Sequence, residues 1–198
     1  MLEQKVRPLL QTSIIEPFAR FLIRYCGATA NRLSLIALSL GILVVPCMLL
    51  GLAKLAVTFM WLSGLFDVLD GTVARLEGSS SDIGTILDIM IDRAVEFAIV
   101  FGFYLVHSNM WAWVALLLLG SILFCVTSFL TVGILSNNVS EKRFDYSPGL
   151  IERAEAFVFF SVMILFPKTY VILSLLLCAL ILYTTCIRIL EFGRREIS

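Results

Sequence analysis

Of the five aspartates between residues 67 and 92, four, Asp67, Asp70, Asp88 and Asp92, lie well inside mainly apolar segments. Carboxylates brought close together repel one another unless they are protonated or bridged by cations. An all-oxygen cluster suits hard cations such as Mg²⁺ or Mn²⁺ rather than zinc or copper. Metal held by carboxylates and completed by substrate phosphates is the usual arrangement for phosphoryl chemistry. At helical spacing Asp67, Asp70, Gly71 and Ala74 share one face, with Arg75 at its margin. Gly71 and Ala74 leave room there for a flat or bulky ligand, and the Arg75 guanidinium suits a phosphate. On the next helical segment Gly84, Asp88 and Asp92 share a face, with Glu96 one turn further on. The hairpin between the two segments centres near residue 79. Asp70 and Asp88 are equally far from it and Asp67 and Asp92 nearly so, which predicts two tiers of carboxylates in one cavity.

The elements that position these residues must be membrane helices. Of the 198 residues 60% are hydrophobic and 15% charged, against about 25% charged in soluble domains. Mean hydropathy is +0.98. An aspartate at the centre of a membrane helix costs about 2.5–3.5 kcal/mol on insertion scales, so four of them demand compensation that Arg75 and Arg93 cannot supply alone. A 20-residue window predicts an all-α polytopic fold with six spans, at 31–50, 54–76, 82–107, 110–135, 149–166 and 169–190. No polar stretch is long enough for a second domain. One membrane domain is therefore expected over 1–198, with a juxtamembrane helix at 1–28, a six-helix bundle at 29–192 and a tail at 193–198.

Before the first span Leu10, Ile14, Phe18, Phe21 and Tyr25 recur at helical spacing, with Arg7, Gln11, Arg20 and Arg24 as polar positions. That pattern suits an amphipathic helix lying in the interface, kinked or divided at Pro17. Lysine and arginine concentrate on one side of the six-span layout. Both termini and the 76–82 and 136–148 loops, and the aspartate cavity with them, are thus expected on the cytoplasmic side. Formal net charge is zero, so nothing points to nucleic acid. Five scattered cysteines without a CxxC spacing read as packing residues. A single histidine, His107, excludes a His-rich metal site and is expected at a helix end.

The aspartates also spell a longer pattern: Asp67-x2-Asp70-Gly71-x2-Ala74-Arg75-x8-Gly84-x3-Asp88-x3-Asp92. It resembles the signature of the CDP-alcohol phosphotransferase family at every fixed position. The resemblance implies that Asp67, Asp70 and Asp88 bind divalent metal, two ions of Mg²⁺ or Mn²⁺. It implies that Asp92, also near the metal, is the general base that deprotonates the acceptor hydroxyl. Gly71, Ala74 and Arg75 would line the site of a CDP-linked lipid such as CDP-diacylglycerol, with Ser81 near the nucleotide. The segment Thr29-Ala30-Asn31-Arg32-Leu33-Ser34 is similar to the family's Thr-Pro-Asn-x-x-Thr/Ser element, which suggests a ligand contact for Asn31. Thr29 and Asn31 could equally cap the first span. Family members resemble homodimers, so a homodimer is expected.

Lys142, Arg143 and Arg153 would suit a phosphate-bearing acceptor, inositol phosphate or glycerol phosphate. Glycerol-phosphate-using members usually carry an arginine where this chain has Ala37, and Asp-Lys where it has Asp92-Arg93. The expectation therefore leans to the phosphatidylinositol-phosphate-synthase type. A transporter with an intramembrane carboxylate site would explain the aspartates but not Gly71, Ala74, Arg75 and Gly84 at their spacings. A membrane prenyltransferase would need two separate Asp-rich motifs, and a di-iron bundle Glu-x-x-His pairs.

Overall fold

Leu33, Ala37, Gly41, Val44, Cys47 and Met48 form the buried edge of a 20-residue apolar helix, and the helices that pack on it carry the aspartates. In a computed structural model of the chain, residues 11–78, 81–107, 111–137 and 153–197 are described, and these contain helices and no strand. A π-helical turn at Gln11–Ile15 leads into α1 (Glu16–Cys26), α2 (Ala30–Leu49), α3 (Ala53–Leu76) and α4 (Asp82–Val106). Then come α5 (Ala112–Asn137), α6 (Arg153–Leu165), a 3₁₀ turn at Pro167–Thr169 and α7 (Tyr170–Ile197). Contacts divide the chain into an N-terminal unit ending at Ser108 and a C-terminal unit from Asn109 onward.

Helices α2 to α7 fall in the six segments expected as spans. By length and apolarity, α2, α3, α5 and the 3₁₀ turn with α7 are able to cross a membrane. Helix α4 is long enough, but Asp82, Asp88, Asp92, Arg93 and Glu96 dilute its apolarity. For α6 the described part is 13 residues. Helix α7 continues to Ile197, beyond the end expected at Leu190. Glu191, Arg194 and Arg195 end the apolar run, yet glutamate and arginine are good helix formers and carry the helix on.

In the N-terminal unit α2 packs along both α3 and α4. A Cβ on Gly41 would come within 2.5 Å of Val95 Cγ2, and one on Gly102 within 2.8 Å of Met48 Sδ. Small residues thus set the spacing of α2 and α4, as is usual where lipid offers no hydrophobic drive between helices. The fully buried Ser63 hydroxyl on α3 donates to the Ala37 carbonyl on α2 at 2.7 Å, a polar tie between these helices.

Helix α1 begins one residue before Pro17, whose missing N–H does no harm in a first turn. It ends at Gly27, whose φ of +57° lets the chain reverse into α2. Ile15 of the π-helical turn and Ala19, Leu22 and Ile23 of α1 face the protein, packed on Leu33, Leu69 and Val73. The stripe expected from the sequence is the opposite one: Ile14, Phe18, Phe21 and Tyr25 are exposed, with Phe21 and Tyr25 rings 4.8 Å apart.

In the C-terminal unit α7 packs on α5 and α6. Arg188 on α7 donates through Nη1 to the Cys125 carbonyl at 2.9 Å and to Ser128 Oγ at 3.0 Å, under the Phe129 ring. All five cysteines are free thiols. His107 caps the C-terminal end of α4, as expected.

Candidate active site

Carboxylate oxygens of Asp67 and Asp70 on α3 and Asp88 on α4 all lie within 4.8 Å of one another. Residues three apart on a helix are neighbours, so Asp67 and Asp70 reach toward the same point. Asp67 thus joins Asp70 and Asp88 across the two expected tiers. A six-coordinate Mg²⁺ with bonds near 2.1 Å has its farthest ligands about 4.2 Å apart. A span of 4.8 Å is therefore one ion's shell slightly opened, or room for two ions, and the donor set is the hard oxygen one such ions take.

Asp70 is buried, and Ser34 on α2 donates its hydroxyl to Asp70 Oδ2 at 2.5 Å. Ser34 belongs to the segment singled out at the start of the first span, but Asn31 was the residue expected to act. Asn31 is exposed in the first turn of α2. Thr29 is the N-cap residue, and its side chain makes no capping hydrogen bond. Spacing puts positions 30, 34 and 37 on one face of a helix, and the structure buries that face at Ala37, whose carbonyl accepts from Ser63 of α3.

The cations nearby are committed. Arg93 Nη1 lies 2.6 Å from the buried Glu96 carboxylate, and its Nη2 is 3.8 Å from Asp92 Oδ2. Glu96 therefore neutralises the arginine inside α4, and Asp92 meets its edge. Arg75 on α3 donates through Nη2 to Thr72 Oγ1 at 3.0 Å. Beside it, a Cβ on Gly71 would stand 3.6 Å from Arg75 Nη1. That is ordinary contact, so protein packing does not require a glycine at this place. Gly71 and Ala74 are half-buried on the Asp70 face, as a ligand surface would need.

Ser81 is the N-cap of α4, and its Oγ accepts the Gly84 N–H at 3.1 Å. The hydroxyl thus organises the first turn of the helix that carries Asp88. Arg153 opens α6 in the C-terminal unit, its guanidinium 5.3 Å from the Phe157 ring centroid. Lys142 and Arg143 lie outside the described residues.

A family model described as CDP-alcohol phosphatidyltransferase matches residues 28–188. The chain is 30% identical over 170 residues to the inner membrane protein YnjF of Escherichia coli, covering 82% of each. It is 29% identical over 152 residues to phosphatidylinositol phosphate synthase of Corynebacterium glutamicum, covering 73% of this chain and 66% of that one. Its fold is similar to that of Mycobacterium tuberculosis phosphatidylinositol phosphate synthase solved with CDP-DAG bound. There the TM-score is 0.72 at 22% identity, over 90% of this chain and 93% of the other. The structure of the same synthase with manganese and citrate gives 0.74 at 21% identity, over 91% and 89%.

Proposed function

The chain belongs to the CDP-alcohol phosphatidyltransferase family and is an integral membrane transferase of substituted phosphate groups; from that premise we propose that it moves a phosphatidyl group from CDP-diacylglycerol to a hydroxyl of an inositol phosphate, releasing CMP. The observation that carries this reading is the convergence of Asp67, Asp70 and Asp88 between two helices of an apolar bundle. The acceptor is favoured by relatives named phosphatidylinositol phosphate synthase.

In this reading Asp67, Asp70 and Asp88 hold divalent metal, Mg²⁺ or Mn²⁺, with Asp92 at its edge. When bound, the metal would neutralise charge on the donor's diphosphate. Ser34 orients Asp70. The Arg75 guanidinium binds the diphosphate, Gly71 and Ala74 leave space for the nucleotide, and Asn31 and Ser81 border it. Asp92 accepts the proton of the acceptor hydroxyl. The oxygen so exposed forms a bond to the phosphorus bearing the diacylglycerol, and the bond from that phosphorus to the oxygen of CMP breaks. Lys142, Arg143 and Arg153 are assigned to the acceptor's own phosphate, which two or three cations would recognise by charge.

The topology that goes with this chemistry is a single domain of six spans, α2 to α7, in a homodimer. Both termini and the aspartates face the cytoplasm, and α1 lies in the interface on its exposed Ile14, Phe18, Phe21 and Tyr25. Arg93 paired to Glu96 lowers the cost of placing α4 in lipid.

The test is CMP release by purified protein in detergent, given CDP-diacylglycerol, Mn²⁺ or Mg²⁺, and one acceptor at a time: inositol phosphate, glycerol phosphate, inositol or serine. Release with inositol phosphate that stops in excess chelator is expected. Release with a different acceptor would correct the substrate, and release unaffected by chelator would overturn the role of the aspartates.

A further inference from the structure

The N-terminal turn reaches the same site through one buried hydroxyl. Gln11 donates its side-chain amide to Thr72 Oγ1 at 2.9 Å, across 61 residues of sequence. Thr72 is 1% exposed and lies two residues beyond Asp70. Its own proton goes to the Val68 carbonyl at 2.8 Å, and its second lone pair accepts from Arg75 Nη2 at 3.0 Å. A hydroxyl has one donor and two acceptor positions, and all of them are used here. With Nη2 held by Thr72, Nη1 lies along Gly71, on the face of α3 that carries Asp67 and Asp70. The sequence pattern placed Gln11 among the polar positions of an interfacial helix. Instead it is half-buried against α3.

We propose that Gln11 is a positioning residue of the donor site: through Thr72 it sets the pose of the Arg75 guanidinium, so the segment before α1 is part of the machinery that binds a CDP-linked donor. The proposal rests on the reading of Arg75 as the diphosphate contact. A long arginine side chain on the last turn of a helix has many rotamers, and holding one of its terminal nitrogens reduces what binding must order. Gln11 is anchored in turn by the neighbouring contacts of Ile15, Leu22 and Ile23 with Leu69 and Val73. Undocking of this segment would leave Thr72 in place but remove the partner that fills its remaining lone pair and closes over it.

The experiment measures CDP-diacylglycerol affinity of the full chain in mixed micelles with Mn²⁺, and separately kcat and KM for the same donor. Gln11→Ala and Thr72→Val should each weaken binding about fivefold, the worth of one modest hydrogen bond. Thr72→Ser, which keeps the hydroxyl, should restore it. The loss should fall on KM for the donor with kcat largely retained. In an Arg75→Ala background neither change should weaken binding further, because the group they position is gone. Equal penalties with and without Arg75 would mark a merely structural contact and overturn the proposal, as would unaltered affinity in Gln11→Ala. An unmodified chain that binds no CDP-diacylglycerol would overturn the donor reading, and this inference with it.

Discussion

Replacing Ser34 with Ala removes one hydroxyl from α2 and tests whether the aspartates work as a metal centre. The hydroxyl has one proton and two acceptors in reach, Asp70 Oδ2 at 2.5 Å and the Ala30 carbonyl at 3.1 Å. The shorter contact is in the range of charge-assisted O–H···O⁻ bonds and takes the proton. Hydrogen bonds to charged groups contribute about 1.5–3 kcal/mol, which is roughly 10- to 150-fold in an equilibrium constant. Loss of an outer partner of a metal ligand typically costs about 10–100-fold in metal affinity or activity. Alanine is the best helix former, so α2 itself should not suffer. The assay is CMP release against Mn²⁺ concentration at saturating donor and acceptor. Ser34→Ala should shift the half-saturating Mn²⁺ upward by about 10–100-fold, with kcat largely recovered at high metal. Ser34→Thr should follow the unmodified chain. A Ser34→Ala curve lying on that of the unmodified chain would refute the reasoning, since the hydroxyl would then do nothing for Asp70 that the metal feels.

Three further outcomes are expected. Asp92→Asn should abolish turnover while donor binding by calorimetry stays near that of the unmodified chain; turnover intact with binding lost would reverse its assignment as base. Gly71→Ala should unfold no more easily, because its Cβ meets nothing nearer than Arg75 Nη1 at 3.6 Å and alanine gains about 1 kcal/mol over glycine in a helix. Its affinity for CDP-diacylglycerol should nevertheless fall several-fold, and full affinity would mean that the space beside Gly71 is not used by ligand. Gly41→Ala should destabilise by about 1–3 kcal/mol through overpacking, since its Cβ would enter Val95 at 2.5 Å. Thermal unfolding in detergent would show it, and adding Val95→Ala should recover most of the loss.

Much of this protein could be read before any fold was known. Its solvent follows from composition, and its helices follow from apolar runs that are local in the chain. The helix positions match because an apolar run as long as the bilayer is thick has few ways to satisfy its backbone other than as a helix. The convergence of Asp67, Asp70 and Asp88 was legible too, since i, i+3 spacing on one helix and a short hairpin to the next limit where carboxylates can go. What the chain alone could not decide is which neighbour each side chain meets across a helix crossing. Ser34 donates to Asp70, and Gly41 admits Val95, only once α2 has settled against α3 and α4. The same holds for the amphipathic segment: periodicity picked out the stripe of Leu10, Ile14, Phe18, Phe21 and Tyr25, and only packing showed that Ile15, Ala19, Leu22 and Ile23 face the protein. Gln11 shows the limit most plainly. Read locally it is one more polar residue at an interface, and it becomes a contact of the candidate site because tertiary packing brings it to Thr72, 61 residues away.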